Sequence, residues 1–180
     1  MSNIQHCKYP RTAHVPWSPG ATEDDVIIDT VDCFAGREVV VTEKMDGENT
    51  TMYKDNQRIC GENMFWVHSL VYTKLKAYFL MFNAWEDSTC LSWDDTKLLA
   101  DKLGLTLVPE LYRGTFDVDT IKELWGADKW STMEGYVVRV VEPFERDGFQ
   151  QSVAKFVRKD HVQTDEHWLR SGGELNMLRL

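Results

Sequence analysis

Three short segments carry side chains able to do chemistry. The first is Lys44-Met45-Asp46-Gly47-Glu48-Asn49. A lysine amine is a nucleophile once it is neutral, a state favoured by desolvation or by neighbouring cations. The same residues also read as a hairpin, because Asp-Gly is a favoured turn dipeptide and a lysine beside it can simply be solvated. A Lys-x-Asp-Gly string arises by chance in ~4% of chains this long at average residue usage, so the segment alone leaves both readings open. The second segment is Glu134-Gly135-Tyr136-Val137-Val138-Arg139, and the third is Ala154-Lys155-Phe156-Val157-Arg158. Strand alternation puts Lys155 on the face of Val153 and Val157, where its amine either snorkels at an edge or is aimed into a pocket.

Strands must position all three. Arg37 to Lys44 is β-branched and bounded by Gly36 and Gly47, which predicts a strand. Asn49–Lys54, Gln57–Gly61, Ala77–Trp85, Leu105–Tyr112, Glu134–Val141 and Ser152–Arg158 read likewise. Ser92 to Gly104 has an N-cap candidate, leucines at 98, 99 and 103 and a terminal glycine, which predicts a helix; Asp117–Trp125 predicts a second, shorter one. Residues 1–35, with Pro10, Pro16, Pro19 and Gly20, read as irregular. Strands outnumber helices and the gaps between them are short, so antiparallel pairing in one α+β domain is expected.

The 180 residues carry 20 Lys and Arg against 29 Asp and Glu, a formal charge of −9. Phosphates attract Lys and Arg, so this balance by itself speaks against a nucleic-acid partner. With 43% hydrophobic and 27% charged residues, the composition is that of a globular chain and argues against disorder. Ala77–Trp85, the longest charge-free run of the aromatic-rich middle, has nine residues, well short of the ~20 of a membrane helix. Cys7, Cys33, Cys60 and Cys90 are widely scattered, which reads as free thiols in a reducing, cytoplasmic setting.

In order, the three segments resemble motifs I, IV and V of the covalent nucleotidyltransferases, the superfamily of ATP-dependent DNA and RNA ligases and mRNA capping enzymes. Cys60-Gly61-Glu62-Asn63 resembles motif III, and Tyr78–Phe82 resembles the aromatic strand after it. Lys8-Tyr-Pro-Arg11, Val41–Asn49 and His161–Trp168 are similar to a group of small RNA ligases. The resemblance implies an ATP-grasp-like nucleotidyltransferase domain of antiparallel sheets flanked by helices, with its site between the sheets. It implies that Lys44 attacks the α-phosphate of ATP, with Lys155 as the second catalytic group. AMP then passes to a 5′-phosphate RNA end and is displaced by a 3′-hydroxyl. The implied nucleotide contacts are Glu43, Lys44, Asp46, Asn49, Arg58, Glu62, Phe82, Glu134 and Lys155. Glu62 and Glu134 would hold Mg²⁺ or Mn²⁺, and Arg139, Arg158, Lys159 and His161 would touch RNA. His161 and His167 read as surface or RNA-contacting groups rather than metal ligands.

Two features depart from that pattern. Motif V usually carries a second lysine where Val157 stands; Arg158 follows it, but a bulge would be needed to turn it to the face of Lys155. Between Lys54-Asp55 and Asn56-Gln57 the chain lacks a segment common in relatives, which bears an Arg/Ser-containing motif and a helix. That leaves two further readings open: a minimal or truncated pseudo-ligase that binds nucleotide or RNA ends without turnover, and a DNA-ligase or capping-type enzyme, which normally adds an OB domain. About 22 residues follow Arg158, so a single monomeric domain over 1–180 without a membrane segment or separate OB domain is expected, with residues 1–35 packed on it. Residues 136–180 carry 7 basic and 7 acidic side chains, so a small contact to strand ends is compatible with the overall charge.

Overall fold

The valine run at 39–41 has every side chain fully buried, as expected of a central strand covered on both faces. It forms the middle of β2 (Glu38–Lys44). In this computed structural model, residues 7–126, 129, 132–159, 161 and 173–179 are described. The other strands are β1 (Ala13–His14), β3 (Glu48–Lys54), β4 (Gln57–Asn63), β5 (Phe79–Glu86), β6 (Thr89–Cys90), β7 (Thr106–Leu107), β8 (Glu110–Thr115), β9 (Gly135–Val140), β10 (Phe144–Glu145) and β11 (Val153–Val157). The helices are α1 (Trp93–Leu103) and α2 (Val118–Glu123).

Two sheets result. One runs β1-β11-β9-β2-β8; the other runs β10-β6-β5-β4-β3, with β7 added to β5. Their inner faces share a core in which Val39, Val41, Tyr136, Val138 and Phe156 pack with Cys60, Trp85, Phe144 and Phe149. The expected α+β class with mostly antiparallel pairing is what the chain adopts.

Three expectations need correction. The strand read over Leu105–Tyr112 is two strands, parted at Val108-Pro109. Proline lacks the N–H that a ladder requires, and at this point the chain leaves one sheet for the other, with Val108 N donating to Met81 O and Glu43 N donating to Pro109 O. The N-terminal segment is not wholly irregular: β1 pairs in parallel with β11, His14 opposite Lys155. Helix α1 begins at its predicted cap, Ser92 Oγ accepting from Asp95 N at 3.0 Å. However, it buries Trp93, Thr96 and Ala100, while Leu98 and Leu103 lie exposed.

Candidate active site

Lys44 is the last residue of β2, paired with Gly135 of β9. Glu134, just before β9, therefore reaches it from the neighbouring strand. Lys44 Nζ donates to both Glu134 oxygens at 2.6 Å. The carboxylate is buried and the ammonium partly so, with side-chain exposures of 5% and 24%. Gly47 sits where β3 begins, and a Cβ there would come within 2.5 Å of Asn63 O. The Asp-Gly step thus permits close passage of β3 against β4 rather than a left-handed turn.

Asp46 faces the other way. Its Oδ2 accepts from Ser69 N at 2.8 Å, Ser69 Oγ at 2.7 Å and Leu70 N at 2.8 Å, which ties the loop after β4 to the end of β2. Tyr72 Oη accepts from Asp46 N at 3.2 Å. His161 Nε2 lies 3.2 Å from Glu134 Oε1 and 3.6 Å from Asp46 Oδ1, with its side chain only 11% exposed. This corrects the reading of His161 as a surface side chain. Asp46, Glu134 and His161 bring one donor atom each to within 4.8 Å of one another, a mixed nitrogen and oxygen set of the kind transition-metal cations accept. Glu62, the other expected metal ligand, is outside that group and accepts from Gly47 N at 3.3 Å.

A cleft opens between the two sheets beside Lys44. The first sheet contributes Thr42, Glu43, Lys44, Val137, Val153 and Lys155; Asn49, Glu62 and Phe82 come from the second. Phe82 and Tyr9 meet edge to face at 5.3 Å, and Asn83 Nδ2 donates to Tyr9 Oη at 2.7 Å. Burial pushes the Glu43 carboxyl up to about 7. Glu62 also rises to about 7, again by burial, with Lys44 opposing. Lys155 is lowered by burial and by the like charge of Lys44. The Cys60 and Cys90 thiols are pushed up to about 11 by burial, as befits inert core sulfur.

Of the residues singled out in the sequence, Glu43, Lys44, Asn49, Glu62, Phe82 and Lys155 line the cleft; Glu134 borders it through Lys44, whereas Asp46 is turned toward Ser69 and Leu70. Arg58 does not join them. It stands opposite Tyr53 at the far end of β4, its guanidinium over the Trp85 ring at 5.3 Å and bonded to Asp87 O. Arg139 is a second correction. It is buried, with its guanidinium bonded to Asn83 Oδ1 and Leu91 O and lying 5.5 Å from the rings of Trp93 and Phe144. It builds the cleft wall and has no surface for RNA. The β9–β11 ladder shows no register shift, so the bulge that would bring Arg158 round to Lys155 is missing. Lys159 is exposed just past β11. His167 and the rest of the His161–Trp168 phrase lie outside the described residues. Tyr9, Tyr72 and Asn83 were not singled out for this site; only Tyr9 had a signal, within the Lys8–Arg11 phrase.

A protein-family model described as RNA ligase matches residues 54–157, more than half of the chain. No curated protein matches. Among solved structures, a lysine-to-alanine mutant of the Naegleria gruberi RNA ligase with ATP and Mn is similar at 13% identity and a TM-score of 0.51, over 71% of this chain and 51% of that one. An Aquifex aeolicus protein assigned as an ATP-dependent DNA ligase is similar at 18% identity and a TM-score of 0.52, over 71% of this chain and 46% of its own. The chain spans about half the length of these neighbours. At such identities the likeness is one of fold alone. Since the family model covers more than half of the chain, including β4 and β5 of the second sheet and the strands that bring Glu134 and Lys155 to the cleft, the chain belongs to the RNA ligase family.

Proposed function

We propose that this chain catalyses ATP-dependent RNA ligation through a lysyl-AMP intermediate on Lys44. The observation that carries this reading is the Lys44–Glu134 pair at the mouth of the inter-sheet cleft. A nucleophilic amine must lose a proton, and both Glu134 oxygens stand 2.6 Å from Nζ to receive it. The neutral amine attacks the α-phosphorus, the N–P bond forms, and the bond to the bridging oxygen breaks to release pyrophosphate. Lys155 opposes charge developing on the α-phosphate. Phe82 and Tyr9 offer ring faces or edges to adenine, and Asn49 and Glu62 offer polar atoms to the ribose. AMP then passes to the 5′-phosphate of RNA, freeing Lys44, and the attack of a 3′-hydroxyl expels AMP as the strand is sealed.

Asp46, Glu134 and His161, with donor atoms within 4.8 Å of one another, would hold the divalent cation, in place of the expected pair Glu62 and Glu134. When bound, it would neutralise phosphate charge. The Naegleria RNA ligase found with ATP and Mn, and the same protein with PPi, support the nucleotide and the leaving group. The family model favours RNA over DNA, although the Aquifex neighbour is assigned to DNA.

One specific feature favours a second reading, end-binding without turnover. β3 and β4 close through Asp55 and Asn56 alone, with Lys54 opposite Gln57 and Asp55 at φ 53°, which omits the wall segment of relatives. Incubation with α-labelled ATP or GTP and Mg²⁺ or Mn²⁺ separates these readings. ATP label on denatured protein, together with sealing of nicked RNA, supports the ligase. GTP label favours capping chemistry, and no label selects the end-binder.

A further inference from the structure

The N-terminal segment delivers a carboxylate to the rim of the cleft. His14 N donates to Val26 O at 2.7 Å and Ile28 N to His14 O at 2.9 Å, so residues 26–28 are laid along β1, which is itself paired with β11. Asp25 precedes that contact, and its Oδ2 is fixed by Thr22 N at 3.1 Å and Thr22 Oγ1 at 3.0 Å. Its Oδ1 takes Arg11 Nη2 at 3.2 Å and lies 3.8 Å from Lys155 Nζ. The last distance exceeds a hydrogen bond. The ammonium is attracted without being locked.

We infer that Asp25 is a positioning residue for Lys155, holding its ammonium at the mouth of the cleft from outside the two-sheet core. The inference rests on the reading of Lys155 as the cation that meets the α-phosphate. Without a counter-ion, Lys155 would face the Lys44 ammonium in a partly desolvated site. Lys44, Glu134, Arg11 and Asp25 are the charged groups whose fields reach it. Of the two carboxylates, Asp25 is the one that forms an ion pair with it, at 3.8 Å. His14 completes the device. It is fully buried, its Nδ1 is 2.8 Å from Ser18 Oγ, and its Nε2 is 3.5 Å from Asp25 Oδ2 without a hydrogen bond. Burial, reinforced by Lys155, lowers it to about 4, so the ring is a neutral wedge under the carboxylate and leaves its charge to Lys155 and Arg11.

The test is a double-mutant cycle with Asp25→Asn and Lys155→Met, read both in the rate of ATP-label uptake and in ATP affinity. Asn keeps an oxygen to accept from Thr22, so the turn stands. Should this variant unfold, Asp25→Glu, which keeps the charge and displaces it by one methylene, takes its place. Alone, Asp25→Asn slows labelling about tenfold, less than the ~10²-fold that a misplaced catalytic group gives. In the Lys155→Met background it adds less than twofold, because its effect passes through Lys155. Equal losses in both backgrounds overturn the inference, since a residue that only braces the Thr22 turn acts regardless of Lys155. If the wild-type protein takes no label, the proposed function fails. The cycle in ATP affinity then still decides whether Asp25 acts through Lys155.

Discussion

Lys44 and Glu134 lie 90 residues apart in sequence, yet their side chains meet at 2.6 Å because β2 and β9 are adjacent and Lys44 stands opposite Gly135. A carboxylate buried this far is sustained by its cation and by its bonds. Glu134→Gln removes the proton acceptor and sets an amide against the ammonium. ATP labelling falls by ~10²–10⁴-fold, the usual worth of a general base. Denaturant unfolding shows a loss of ~1–3 kcal/mol for the disrupted buried bonds.

The carboxyl of Glu43 gives a pH signature. Burial raises it from the ordinary 4.5 to about 7 in the folded chain. Between these values the folded state binds more protons than the unfolded state, so this group's contribution to stability falls as pH rises and levels off above about 7. Gln at this position stays neutral throughout. Glu43→Gln therefore gains on the wild type as pH rises from about 4.5 to about 7, by ~1–3 kcal/mol at most. Unfolding midpoints of both proteins across that range check it; a constant difference would contradict it.

Asp46 holds structure behind the end of β2. One of its oxygens satisfies three donors from Ser69 and Leu70. Asp46→Ala leaves those buried groups unpaired and costs about 3 kcal/mol, seen as a lowered denaturation midpoint even without nucleotide.

Arg139 and Lys159 separate a wall residue from a surface cation. Arg139→Ala opens the core between Trp93, Phe144 and Asn83, destabilising the fold by ~3 kcal/mol or more while the salt slope of RNA binding stays unchanged. Lys159→Ala leaves stability within ~0.5 kcal/mol and lowers that slope by about one if the residue touches a phosphate. Filter binding at several salt concentrations reads both.

Periodicity and caps made much of this fold legible. The valines of β2, Ser92 and Gly104 around α1, the strand that follows Glu134 and the strand carrying Lys155 all lie within a residue or two of where the pattern places them. Local pattern does not report tertiary partners. The apolar spacing of Leu98 and Leu103 pointed to the wrong face of α1, because the face packed on β5 and β7 is set by Trp93, Thr96 and Ala100. Arg139 and Arg58 looked like binding groups because a charge in sequence carries no sign of the aromatic ring or carbonyl it will meet. His161 lacked neighbours with metal-ligand spacing, since Asp46 and Glu134 reach it only through folding. Asp25 follows Glu23 and Asp24, and three successive carboxylates carry no sign of which one will meet a lysine.

The most direct measurement is the position of the AMP adduct. The protein is incubated with ATP and a divalent cation, digested, and the modified peptide sequenced by tandem mass spectrometry. AMP on Lys44, lost in Lys44→Ala and retained in Arg58→Ala, is the predicted result. AMP on Lys155 or another side chain, or no adduct under conditions where ATP binds, would contradict it.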